Sequence, residues 1–229
     1  MFQKHKREIT DEENEKICSQ IIIKEYPYYE ISIDSVTINI HKKVKECINK
    51  SEVEIINYFS DLFLRFIDTC KEYNIRYKLA SVRFILSDEM TRPQCGLIFD
   101  KGILKPLQKA EGKSIDICFP TEAFTISLEF AFLYILHELS HCWLDLEYRN
   151  HKTMEYFADL FAMCVLEKIV SNKKIYQKTI RMSYIGSKDF GARYFGKETQ
   201  NKILDDPKSF LKVAITKPNY ASFENLKYN

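Results

Sequence analysis

Five consecutive residues, His137-Glu138-Leu139-Ser140-His141, hold the clearest chemical signal in the chain. An α-helix turns once every 3.6 residues, so histidines four apart lie on one face, one above the other. Their imidazoles can then reach a single Zn²⁺ with Zn–N bonds of about 2.0–2.1 Å. Glu138 follows the first histidine and is angled toward the same open side. A carboxylate there can take a proton from a zinc-bound water, whose pKa the metal lowers to about 7.

The flanking residues bear on whether these groups are merely solvated. Phe130 to Leu136, then Leu139, Trp143, Leu144 and Leu146, make the segment apolar on nearly all sides. Such a helix is a buried one. Two imidazoles and a carboxylate inside it need partners, because burying unpaired polar groups is unfavourable. A metal ion would satisfy all three.

A catalytic zinc also needs a third protein ligand and an open position. Glu147 stands six residues after His141, where some zincins place a third histidine. Leu144 occupies the glycine position at which such helices break, so Glu147 is expected to stay on the helix and point away. Asp145 continues the histidine face, but three ligands from one straight helix give poor tetrahedral geometry. His151, in the connection, remains open as a ligand. Glu155 is the preferred choice. It begins the next helix, and a short connection makes the two helices neighbours. Asp159, one turn on, can accept the free N–H of a zinc-bound histidine and fix its tautomer. By rise per residue Asp159 is the more nearly level with His141, so an exchange of roles between the two carboxylates stays open.

These residues resemble a known family. His137-Glu138-Leu139-Ser140-His141, followed by Glu155-Tyr156-Phe157-Ala158-Asp159-Leu160-Phe161-Ala162, is similar to the ImmA/IrrE-like metallopeptidases. Their pattern is H-E-x-x-H, then E-x-x-A-[N/D]-x-F-A on the next helix. More broadly it resembles the gluzincins, whose third zinc ligand is a Glu in an E-x-x-x-D context. The resemblance spans roughly residues 114–165. It implies Zn²⁺ on His137, His141 and Glu155, Glu138 as general base, and Asp159 behind a ligating histidine. It also implies a zincin-like α+β fold, with a small sheet packed on the H-E-x-x-H helix and a helical C-terminal half. The activity implied is that of a zinc endopeptidase; a specific intracellular protein is the expected substrate, because broad-range proteolysis in the cytoplasm would be harmful, and that substrate or a cognate regulator is the expected partner. Ser140 departs from the usual glycine, and no helix-turn-helix pattern flanks the motif, so the repressor targets of some relatives do not carry over. The competing expectation is a catalytically idle zinc-binding regulatory protein, disfavoured by the retention of Glu138.

The surrounding elements must position this site. A chain of 229 residues suits one domain or one with a small appendage. An N-terminal α+β or helical region over 1–75 and a metallopeptidase region over 76–229 are expected, as separate units or one continuous domain. The near balance of 34 basic and 32 acidic residues gives no reason to expect nucleic acid or an anionic membrane as a partner. The seven cysteines include no C-x-x-C pair, which argues against a thiolate cage and for free thiols in a reducing compartment. With no apolar run behind the N-terminal charges and none long enough to cross a bilayer, the expected location is cytoplasmic.

Thr10 and Glu13 form a capping-box pattern that predicts a helix over 9–26. Alternation from Ile31 to Ile40, with a slip at Asp34-Ser35, predicts a strand pair or a bulged strand. Ser51 and Glu54 open a long helix to about Asn74, buried through Val53, Ile56, Phe59, Leu62, Phe63, Phe66 and Ile67. Strands are expected over Tyr77–Leu86, Leu97–Phe99 and Ser114–Phe119, with a loop at Thr91–Gly96 and a turn at Asp100-Lys101-Gly102. The motif helix should run from Thr121 to about Tyr148, and the next from a Thr153 cap to about Ser171. Helices near 173–184 and 199–212 follow, with turns at Gly186, Gly191 and Gly196. Arg181, Tyr184, Arg193 and Tyr194 are the available oxyanion stabilisers, although each is more simply a packing or surface residue. Pro93-Gln94-Cys95-Gly96 weakly resembles the cysteine switch of latent zinc peptidases, and an ordinary loop cysteine is the stronger expectation.

Overall fold

Alternating apolar residues near the start of the chain build a hairpin. β1 (Tyr28–Ile33) pairs antiparallel with β2 (Val36–His41), setting Ile31 opposite Ile38 and Ile33 opposite Val36. The slip at Asp34-Ser35 falls between the strands. The computed structural model describes residues 27–33, 36–77, 81–88, 94–100, 103–106, 115–144, 151–182 and 197–216. The helix expected over 9–26 and the glycine turns after 184 lie outside them.

Four more strands, β3 (Val82–Ser87), β4 (Gln94–Asp100), β5 (Ile103–Pro106) and β6 (Ile115–Pro120), complete one mixed sheet of order β1-β2-β3-β6-β4-β5. β2, β3 and β6 run parallel, while β4 is antiparallel to both β6 and β5. The central strands read as unbroken apolar runs because both faces are covered: Phe84, Ile85 and Leu86 are all buried, as are Ile117, Cys118 and Phe119. The sheet takes strands from both sides of residue 75.

Two strand expectations change. The segment expected as loop through Gly96 is strand from Gln94 onward, because β6 offers pairing partners at Cys118 and Ile117. Its pairing slips between Cys95 and Leu97, which puts Gly96 at the irregularity. β5, which sequence periodicity did not mark, closes a hairpin on β4 with Asp100 opposite Ile103. Tyr77 stands apart from β3 and bridges to Leu144.

After the short α1 (Val44–Ile48), α2 (Glu52–Glu72) starts at a complete capping box. The Ser51 hydroxyl accepts the Glu54 N–H at 3.3 Å, and the Glu54 carboxylate accepts the Ser51 N–H at 2.9 Å. Asn74 ends the helix in a left-handed conformation, with the Ile75 N–H bonded to the Cys70 carbonyl at 2.9 Å. Ile55, Phe59, Leu62, Phe63, Phe66 and Ile67 form its buried stripe. Val53 is 66% exposed, contrary to expectation, because at about 100° per residue it lies nearly opposite Ile55.

The single helix expected over 121–148 is two. α3 (Glu122–Ile126) ends at Ser127, which is extended at φ −170° and ψ 161°. The Ser127 hydroxyl accepts the Phe130 N–H at 3.1 Å and so caps α4 (Leu128–Trp143). α4 stops short of Tyr148 because Leu144 turns extended to bridge Tyr77. α5 (His151–Ile169) starts before the expected Thr153 cap. Asn172 caps α6 (Lys173–Ile180). The expected 199–212 helix is also a pair, α7 (Lys197–Asp205) and α8 (Pro207–Thr216), separated at Asp206. Proline suits the first position of a helix, where its missing N–H removes nothing.

Phe59, Phe63 and Phe66 of α2 meet Phe84 of β3, Phe132 and Trp143 of α4, and Phe161 of α5, at ring separations of 4.9–5.8 Å. This aromatic core fixes α4 and α5 against the same elements. No described helix is long and apolar enough to cross a membrane.

Candidate metal centre

α4 is buried through Ala131, Phe132, Leu133, Ile135, Leu136, His137, Leu139, Ser140 and Trp143, and α5 packs along it. Ser140 is fully buried and donates to the Leu136 carbonyl at 2.7 Å. The hydroxyl is thereby satisfied within its own helix.

His137 and His141 lie on one face of α4, with ring centroids 4.7 Å apart and planes at 82°. Their Nε2 atoms are 3.0 Å apart. Glu155 reaches across from α5, with Oε2 at 3.3 Å from His137 Nε2 and Oε1 at 3.4 Å from His141 Nε2. Asp159, one turn further along α5, accepts from His137 Nδ1 at 2.7 Å. A carboxylate only accepts, so Nδ1 bears the proton and Nε2 is left to face the cluster. Of the two carboxylates, Glu155 faces both imidazoles at Nε2 and Asp159 stands behind His137.

Accessibility is graded across the group. The Asp159 and His137 side chains are 4% and 6% exposed, whereas His141 and Glu155 are 12% and 18% exposed. The open side is therefore that of His141 and Glu155. Glu138, half-buried, makes no hydrogen bond or ion pair with another described residue. His141 Nδ1 is buried and has no hydrogen-bond partner among the described residues.

The electrostatics are dominated by acid. Burial works against a charged His137, yet Asp159, Glu155 and Glu138 outweigh it and hold the imidazole well above its usual pKa. Burial likewise pushes the Glu155 carboxyl up, and the hydrogen bonds from His137 and His141 outweigh it and hold it far below the usual range. The charges of Asp159, Glu155 and Glu138 together favour a cation at the two imidazoles.

His137, His141 and Glu155 are the one group of ligand-type side chains among the described residues whose donor atoms all lie within 4.8 Å of one another. Zinc bonds of about 2.0–2.1 Å at tetrahedral angles place neighbouring donors about 3.3–3.4 Å apart. The 3.3 Å from Glu155 Oε2 to His137 Nε2 and the 3.4 Å from Oε1 to His141 Nε2 match that spacing, and the 3.0 Å between the two Nε2 atoms is somewhat shorter.

Asp145 and Glu147 lie outside the described residues, as do Tyr184, Arg193 and Tyr194. His151 opens α5, and Cys95 lies on β4; neither side chain is described. Arg181 is exposed at the end of α6. No family profile, curated protein or solved structure matches the chain.

Proposed function

We propose that the chain is a zinc-dependent endopeptidase with a zincin-like fold, of the gluzincin, ImmA/IrrE-like type, acting on a specific protein in the cytoplasm. The observation that carries this is the convergence of His137 Nε2, His141 Nε2 and the Glu155 carboxylate at 3.0–3.4 Å, with Glu138 on the same helix. Zinc, when bound, supplies a Lewis acid that polarises the scissile carbonyl and lowers the pKa of water to about 7. His137 and His141 present their Nε2 lone pairs, and Glu155 completes a three-donor set that leaves a position open. Asp159 holds the His137 N–H and with it the tautomer that ligation requires. Glu138 takes the water proton and passes it to the leaving amine. The free thiols of Cys47, Cys70, Cys142 and Cys164 support a reducing compartment.

The deciding experiment compares the wild type with Glu138→Gln, both loaded with zinc, on a peptide library derived from a whole proteome. Zinc content should be equal. Peptide-bond hydrolysis by the variant should fall by about 10²–10⁴-fold, the usual contribution of a general base. Equal inactivity of the two proteins, with both still binding a partner, would overturn the peptidase reading and favour the idle zinc-binding regulator.

A further inference from the structure

The exposed side of α6 is charged in one sense. Lys173, Lys174, Lys178 and Arg181 are all exposed, and no acid interrupts the ten residues from Lys173 to Met182. None of the four side chains takes part in an ion pair or hydrogen bond with another described residue. Elsewhere Lys43, Lys50, Arg65, Lys168 and Lys208 are each paired with a carboxylate, while the scattered Lys45, Lys71, Arg76 and Lys212 make no such pair among the described residues; α6 differs in gathering four such cations on one short segment. Lys174 and Lys178 are four apart, a spacing at which like charges repel on a helix. Lys173 and Lys174 also occupy the first turn, where the helix dipole already disfavours cations. This face is electrostatically unfavourable by itself, and an anionic partner would relieve it.

The same face has an apolar element. Ile175 is 43% exposed and Met182 is 49% exposed. A shallow, open surface depression is bordered by Lys174, Gln177, Lys178, Arg181 and Met182. Its acidic neighbour is Asp205 of α7, whose Oδ1 accepts from Gln177 Nε2 at 3.3 Å. Three cations around a methionine complement a chain segment with carboxylates on either side of an apolar residue. A lipid surface fits less well, because Ile175 and Met182 are the only exposed large apolar side chains here among the described residues, too few for a face that buries in a membrane.

We infer that the outer face of α6 is a docking site for an acidic peptide segment carrying an apolar residue between its carboxylates. This does not depend on the peptidase proposal. α6 packs against both α4 and α5, so a segment held there is tethered to the elements that carry the metal centre.

The test uses the full chain and fluorescence anisotropy with a labelled Glu-Glu-Leu-Glu-Glu peptide. Its Gln-Gln-Leu-Gln-Gln and Glu-Glu-Ser-Glu-Glu counterparts, an oligonucleotide and phosphatidylserine vesicles serve as comparisons. The acidic leucine peptide should bind about tenfold or more tightly than either counterpart, and more weakly as salt shortens the reach of charge. The triple variant Lys174→Glu, Lys178→Glu, Arg181→Glu should lose that binding about tenfold or more while keeping its fold by circular dichroism, since all three side chains are exposed. Met182→Ser should erase the preference for leucine over serine. Absence of peptide binding, equal binding by the triple variant, or binding to vesicles or oligonucleotide in preference to the peptide would each overturn the inference.

Discussion

Asp159→Asn isolates the group that orients the metal-facing imidazole. The substitution keeps an acceptor oxygen and removes the charge. In the wild type the carboxylate accepts from His137 Nδ1 at 2.7 Å, with both side chains at most 6% exposed. A hydrogen bond to a charged group contributes about 1.5–3 kcal/mol. Part of that reaches the metal, because the acceptor sets the tautomer and basicity of the ligand. Loss of such a carboxylate lowers metal affinity about 10–100-fold, or about 1.4–2.7 kcal/mol. Glu155→Gln removes a donor that faces both Nε2 atoms, so its loss should be larger. The measurement is competition for zinc between each metal-stripped protein and a fluorescent chelator, with circular dichroism as the check on folding. The expected order of affinity is wild type, Asp159→Asn, Glu155→Gln. Asp159→Asn binding as tightly as wild type would refute the orienting role. A greater loss for Asp159→Asn than for Glu155→Gln would mean that the two carboxylates exchange roles. A wild type that binds no zinc would remove the metal centre altogether.

Three further outcomes follow from the fold. Ser51→Ala should lower stability by about 1 kcal/mol in a urea titration, the usual worth of a helix N-cap. The Ser51 N–H and hydroxyl, with Lys50, hold the Glu54 carboxyl down at about 2. Its folded pKa lies below its unfolded one, so its contribution is complete above about pH 4.5 and is lost as pH falls toward 2; Ser51→Ala, which removes the hydroxyl and keeps the N–H, should reduce that dependence in part. His41, at the end of β2, is held at about 4 by burial and then by the Lys43 charge. Its unfolded form takes up a proton first, so stability should fall as pH drops from about 6.5 toward 4, and an imidazole titrating near 6.5 by NMR would refute this. Phe66→Ala should destabilise by about 3–5 kcal/mol in the same urea assay. Its ring packs on Trp143 of α4 at 5.6 Å and Phe161 of α5 at 4.9 Å, so zinc affinity should weaken as well.

Local patterns were legible in the chain because their causes are local. Ser51 and Glu54 announced a helix start through bonds made within one turn. The spacing of His137 and His141 placed two imidazoles on one face by helix geometry alone. Glu155 and Asp159 stood out through the motif, but rise per residue left their roles interchangeable. Their separation depends on how α5 lies against α4, which is set by the packing of Trp143 and Phe161 around Phe66. No spacing within one helix contains that information.

The misjudged boundaries have the same origin. The segment from Ala123 to Leu136 is mostly apolar and lacks glycine and proline, and the break at Ser127 arises because its hydroxyl caps α4. The end of α4 at Trp143 depends on Leu144 bridging Tyr77, more than sixty positions earlier. β4 and β5 form where β6 and each other supply backbone partners, whatever their own periodicity. The sequence by itself determined which groups could take part in the chemistry, because ligand type and helical period are properties of neighbouring residues. Only the tertiary structure decided which carboxylate faces the imidazoles and which stands behind one of them, because that choice depends on the packing of distant elements.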